Sequence, residues 1–113
     1  MIDKYDFGVI VIDGKRYTND VIIIRGKLRP DWWRKQGHLL QNADLSEVYN
    51  AKPDKLVVGT GHSGVMKVSG EVRKECKKRG IELIEMKTAD AVKKFNELSE
   101  KEKNIAGAFH LTC

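Results

Sequence analysis

The sequence predicts an α/β protein in which an N-terminal β-meander joins a βαβαβ unit, giving one mixed sheet with helices packed against it. Three observations carry this expectation. Two apolar runs, Val9–Ile12 and Val21–Ile24, flank an Asp13-Gly14 hairpin signal. A third, Leu56-Val57-Val58-Gly59, opens a stretch to Leu111 in which short β-branched runs alternate with helical periodicity, the pattern of right-handed parallel crossovers. The 113 residues contain no linker or repeat and fit a single domain, 1–113, large enough to bury about two thirds of its unfolded surface.

Taken in order, residues 7–24 read as a three-stranded antiparallel meander. Phe7–Ile12 turns at Asp13-Gly14 into Lys15–Thr18, and Asn19-Asp20 turns the chain again into Val21–Ile24. That last run is apolar on both faces, so it belongs in the interior of the sheet. Periodicity then fails across 25–42, where Gly26, Pro30 and Gly37 interrupt. An irregular loop is expected there, tethered by Trp32 or Trp33, and so long a connection is often functional.

Asp44-Leu45-Ser46-Glu47 matches a capping box with Asp44 at the N-cap, and Leu45, Val48 and Tyr49 share a face of a helix of about two turns. Ser69 is placed to cap a helix through Arg79 that buries Val72 and Cys76, with Glu71 near its positive end, Lys77, Lys78 and Arg79 near its negative end, and Gly80 after it. Ile81–Met86 reads as a strand. Thr88 is expected to cap a helix carrying Val92, Phe95 and Leu98, and a charged turn at Ser99–Lys103 leads to a final strand, Ile105–Leu111.

Composition excludes several classes of function. Four residues is the longest apolar run, far short of a membrane span. The first residues, Met1-Ile2-Asp3-Lys4-Tyr5-Asp6, resemble no secretory signal, so a cytoplasmic location is expected. Cys76 and Cys113 form neither a disulfide framework nor a metal-ligand spacing. His38, His62 and His110 are scattered, and isolated histidines are more often structural than ligating; no metal and no cofactor are expected. The net charge of +5 is mostly interleaved with acids, apart from Arg25, Lys27, Arg29, Arg34 and Lys35 around the tryptophans. Such a group could bind single-stranded nucleic acid, although a charged loop with one core tryptophan is the plainer reading.

The stretch with the most chemical content is Gly59-Thr60-Gly61-His62-Ser63-Gly64. It matches GxGxxG after a strand, and Glu85 follows at roughly the spacing of a ribose-binding acid, about 20 residues. A dinucleotide site is nevertheless not expected. Val65-Met66-Lys67-Val68 separates the last glycine from the Ser69 cap, so the helix dipole is too far off. Two readings remain: glycines that permit a tight exit from a buried strand, or a small-anion site using Gly59, Thr60, Gly61, His62, Ser63, Gly64 and Lys67. In the second, the loop with Arg29, Trp32, Trp33, Arg34 and His38 would serve as a lid or partner surface. Ser63 lies in Gly-x-Ser-Gly, not the Gly-x-Ser-x-Gly of a nucleophile elbow. A thiolate at Cys113 assisted by His110 is weaker than a simple strand-closing role.

Tyr5-Asp6-Phe7-Gly8, Trp33 near Gly37-His38, Asp44-Leu45, Gly59-Thr60-Gly61, Thr88-Ala89-Asp90-Ala91, Phe95-Asn96-Glu97-Leu98 and Gly107-Ala108-Phe109-His110-Leu111-Thr112-Cys113 follow one another along the chain. In that collinear order they resemble a small domain family built around a methanogen hypothetical protein, with animal relatives among adipogenesis-associated proteins and mitochondrial complex I assembly factors. The resemblance implies a three-layer α/β fold with a five-stranded mixed central sheet plus a β-hairpin. It also implies a protein described by partners rather than substrates, and it marks Gly59, Thr60 and Gly61 as the part to test. The assembly-factor relatives carry a mitochondrial targeting segment that the first residues here do not resemble. The expected function is a non-enzymatic cytoplasmic interaction or assembly module with a protein partner; the alternative is a binder of, or enzyme on, a phosphate- or carboxylate-bearing ligand at 59–64. Nucleic acid and membrane are not expected as partners.

Overall fold

A computed structural model describes residues 1–113 as ten strands, three α-helices and one 3₁₀ turn. The strands are β1 (Ile2–Asp6), β2 (Val9–Ile12), β3 (Lys15–Tyr17), β4 (Val21–Ile24), β5 (Lys27–Arg29), β6 (Leu39–Leu40), β7 (Lys55–Thr60), β8 (Lys67–Val68), β9 (Glu82–Met86) and β10 (Ile105–His110). The helices are α1 (Ser46–Ala51), α2 (Gly70–Arg79) and α3 (Thr88–Ser99), and the 3₁₀ turn is Asn42–Leu45.

The five-stranded sheet runs β5-β4-β10-β7-β9 and is mixed: β4 is antiparallel to β5 and β10, whereas β10, β7 and β9 are parallel. Alternation along its strands assigns the two faces. Ile22, Ile24, Leu56, Val58, Ala106 and Ala108 join a core with Leu45, Val48, Tyr49, Val72 and Cys76, so α1 and α2 cover that side. Val21, Ile23, Val57, Ile105 and Phe109 join the opposite core with Ala91, Val92, Phe95 and Leu98 of α3 and with Ile2, Ile10 and Ile12. The three layers and the doubly covered Val21–Ile24 strand agree with the sequence. Chain order explains the opposite placement of α2 and α3: the chain steps outward from β7 to β9 and then back past β7 to β10, and right-handed crossovers in opposite directions fall on opposite faces.

The N-terminal meander, expected over residues 7–24, is corrected in extent. Its sheet is β1-β2-β3, residues 2–17, and Val21–Ile24 leaves it for the central sheet. Strand β1 carries no period of its own, since Ile2-Asp3-Lys4-Tyr5-Asp6 has one buried apolar residue; it is held by pairing with β2 and by Asn96 of α3, whose amide bridges both Ile2 backbone groups. The 25–42 connection likewise contains β5 and β6, too short to show a period. Asp44 is not the N-cap. It lies inside the 3₁₀ turn, accepting from the Gln41 N–H at 2.9 Å and the Lys35 N–H at 3.1 Å. Thr88 is not a cap either; Lys87 takes that position and Thr88 is the first helical residue, fully buried. Ser69 occupies the N-cap of α2, yet its hydroxyl makes no capping bond and is unpartnered. The final strand ends at His110 rather than Leu111.

The stop signal of α2 is as expected, since Gly80 adopts φ 71° and its N–H bonds back to Cys76 and Lys77 carbonyls. Nothing lies within 4 Å of a Cβ built there. Gly80→Ala is therefore expected to cost only the left-handed backbone penalty, about 1 kcal/mol, with an unchanged denaturant slope in urea melts.

Candidate functional site

Ligands of open α/β sheets bind where the carboxyl ends of neighbouring parallel strands send their chains apart, which here lies between β7 and β9, whose chains pass to α2 and α3 on opposite faces. The glycine turn leaves β7 at that point, as the sequence suggests. The space beside it is filled by the chain itself.

Every backbone amide from 61 to 66 has an internal acceptor. Gly61 N–H donates to Thr88 Oγ1 at 2.9 Å, and Thr88 Oγ1 donates onward to the His110 carbonyl at 2.5 Å. His62 N–H donates to the Thr112 carbonyl at 2.7 Å, while those of Ser63 and Val65 share the Cys113 carbonyl at 3.2 and 3.1 Å. Gly64 N–H turns back to Gly61 at 3.3 Å and Met66 N–H to Thr60 at 3.1 Å. The expectation of an open, amide-rich cradle is corrected accordingly: an anion would find those donors already used. Thr60 Oγ1 is likewise spent on the Met86 carbonyl at 3.0 Å, and Glu85, the tempting ribose partner, is held by both Nη atoms of Arg73.

The glycines have steric reasons. Gly61 has φ 108°, and a Cβ there would stand 2.4 Å from the Cys113 carbonyl carbon. At Gly59 a Cβ would meet Thr88 Oγ1 at 2.8 Å and Phe109 at 3.1 Å. Of the remaining turn candidates, His62 is exposed, with its ring 5.5 Å from Phe7 and Nδ1 3.4 Å from the Tyr5 hydroxyl; Ser63 and Lys67 are exposed, and Gly64 is half-buried.

The second candidate, the tryptophan loop, divides. Trp32 is the tether: it is buried, and Nε1–H donates to the Asp44 carbonyl at 3.0 Å. Trp33 is 75% exposed. Arg29 pairs on the surface with Glu47 at 2.9 Å. Trp33, with Arg29 and Glu47, lines a cleft of about 350 Å³. Arg34 is no lid residue, because its guanidinium is buried. It donates to Asp20 Oδ2 at 2.7 Å and twice to the Gly37 carbonyl, and Nη2 lies 2.9 Å from His110 Nδ1. His38 is exposed, its ring 6.1 Å from that of His110, and β6 beside it pairs with β8.

Asp20 is the residue whose role the sequence concealed. Its carboxylate accepts from Arg34, from His110 Nδ1 at 2.8 Å and from the Leu111 N–H at 2.8 Å. Burial pushes its carboxyl upward, but the hydrogen bonds from His110, Leu111 and Arg34, with the Arg34 charge, outweigh that and hold it below the usual carboxylate range. An aspartate in an Asn-Asp turn is the commonest of loop residues, so no local signal distinguishes it. At Cys76, burial raises the thiol, which keeps it protonated and inert. His110 Nδ1 faces Asp20, and no hydrogen bond joins the ring to Cys113.

Four exposed apolar side chains leave the molecule near this rim. Phe7 (53%) sits in the β1–β2 turn, tied to Leu111 through the Gly8 N–H; Trp33 precedes Arg34; Val65 (40%) is in the glycine turn; and Met86 ends β9. Lys35, Lys67 and Lys87 stand on the same segments, exposed and in no ion pair. No helix is long and apolar enough to cross a membrane.

The fold recurs among solved structures. A conserved hypothetical protein of Pyrococcus horikoshii OT3 superposes with a TM-score of 0.85 at 29% identity, covering 100% of this chain and 99% of that one. A protein of Bartonella henselae described as an outer membrane protein matches at 0.83 and 22% identity, over 99% of this chain and 94% of its own. A Mth938-like domain of Bordetella pertussis matches at 0.69 and 18%, over 98% and 85%. The last two share the fold alone. Residues 2–110 match the family described as "Protein of unknown function (DUF498/DUF598)", and the chain belongs to that family.

Proposed function

We propose that this protein is a non-enzymatic interaction module that docks a protein partner on the rim holding Phe7, Trp33, Val65 and Met86. The observation that carries the reading is the gathering of exposed apolar side chains at one end of the sheet, on segments joined to one another by backbone hydrogen bonds. Exposed aromatic and apolar side chains held on an ordered frame are what protein interfaces use as anchors. Lys35, Lys67 and Lys87 favour a partner with acidic residues around its own apolar patch. The adipogenesis-associated and complex I assembly-factor branches, which the sequence resembles, belong to this reading as kin that act through partners, and so does a cytoplasmic location.

The small-anion alternative at 59–64 lacks backbone donors, its amides being engaged, and keeps only the exposed side chains of His62, Ser63 and Lys67. Nucleic acid is a poor fit, since Trp32 and Arg34 are buried and Arg29 is paired. The test is site-specific photo-crosslinking in native lysate with the probe at position 7, 33 or 65, and at Lys78 on the exposed side of α2 as control. One common adduct is expected from the three rim positions and none from 78. Equal labelling at 78, or different adducts from each rim position, would defeat the proposal.

A further inference from the structure

The buried cluster of Asp20, Arg34 and His110 contains a group whose hydrogen bonding is incomplete. His110 is 5% exposed, and its Nε2 has no partner. Its Nδ1 faces Asp20 Oδ2 at 2.8 Å, and the same carboxylate accepts from Arg34 and from the Leu111 N–H, so it is the acceptor of the group. Arg34 Nη2 also stands 2.9 Å from Nδ1, but it donates to the Gly37 carbonyl at 2.9 Å, whereas Asp20 Oδ2 can only accept; the imidazole proton is accordingly assigned to Nδ1. Nε2 is left as a lone pair inside the protein, a state that calls for a ligand of its own.

A carboxylate on one ring nitrogen with the other nitrogen free is how metal-binding histidines are held, because the carboxylate fixes the tautomer and raises the basicity of the ligating atom. A second imidazole is at hand. The His38 ring stands 6.1 Å from that of His110, inclined at 67°. Two imidazoles on one tetrahedral ion, with Zn–N of about 2.0–2.1 Å, place their centroids about 5 Å apart, and His38 is exposed and able to swing through the difference. The Arg34 guanidinium is close to His110, but Asp20 at 2.7 Å answers its charge. No set of three or more His, Cys, Asp or Glu side chains is arranged to hold a metal, so the protein supplies only two ligands.

We infer that His38 and His110 Nε2 together form a two-histidine site for a divalent transition-metal ion of the Zn²⁺ type, with Asp20 as the carboxylate behind His110. With two protein ligands the remaining coordination positions would fall to water, so binding is exchangeable rather than structural. A site of this kind is independent of the docking rim, and either can fail without the other.

The test is titration of the full chain with ZnCl₂, followed by calorimetry and by two-bond ¹H–¹⁵N spectra of the imidazoles. One equivalent is expected to bind, shifting His38 and His110 together while His62 stays in place. His38→Gln, an exposed substitution that leaves the core intact, is expected to weaken binding at least tenfold; His110→Gln, checked for folding by circular dichroism, is expected to do the same. No heat up to 1 mM Zn²⁺, binding unchanged in His38→Gln, or a shift confined to His62 overturns the site and leaves Nε2 to a buried water.

Discussion

Replacing Gly61 by alanine is expected to lower the unfolding free energy by about 2–5 kcal/mol, the combined effect of a forbidden backbone region and overpacking. The residue has φ 108°, outside the range a side chain tolerates, and the new Cβ would lie 2.4 Å from the Cys113 carbonyl carbon and 2.7 Å from the Thr112 carbonyl oxygen. Both obstacles are backbone, so no rotamer change relieves them. Moving 112–113 aside would release the acceptors of the His62, Ser63 and Val65 amides. Urea denaturation reads the loss, and hydrogen exchange should show those three amides opening first. Since small domains hold only about 5–15 kcal/mol, a midpoint within experimental error of the parent would contradict this account of the turn. Gly80→Ala, with positive φ but empty space, is the matched control.

Asp20→Ala is the other large effect. It strips a guanidinium that is 4% exposed of its countercharge, and breaking a buried pair from one side costs about 3–5 kcal/mol. It also removes the acceptor of the Leu111 N–H and of His110 Nδ1. The loop carrying Trp32 and Trp33 is expected to loosen with it, which tryptophan fluorescence would register as a more solvated Trp32. The same pair predicts a pH dependence. Because the folded carboxyl is held below the ordinary carboxylate range, its contribution is complete above that range and is lost as pH falls through the depressed value. The stability gap between the parent and Asp20→Asn should therefore be constant near neutrality and narrow in acid. A gap that widens below the carboxylate range would show that Asp20 is not the stabilising anion.

Both expectations concern residues at one end of the sheet, and the sequence is uneven as a guide to that end. Gly61 is visible as part of GxGxxG, and its conformational need follows from the motif. What it packs against is not visible, because Thr112 and Cys113 lie far along the chain. Trp32 and Trp33 are adjacent and chemically alike; one plugs the core by bonding to Asp44, the other faces solvent, and nothing local separates them. Arg34 and Asp20 read as loop charges, yet each is buried through the other.

The amino-acid order alone determined the alternation of strands and helices from Leu56 onward, the apolar Val21–Ile24 strand, the inward residues of α2 and α3 and the stop at Gly80, because these follow from side-chain periodicity and backbone preference within a few residues. Only the tertiary structure decided that the meander splits between two sheets, that Thr88 and residues 112–113 consume the amides of the glycine turn, and that Asp20, Arg34, His38 and His110 converge. Those outcomes depend on hydrogen-bond partners up to ninety residues apart, and a hydrogen bond between distant segments leaves no period in the sequence from which it could be read.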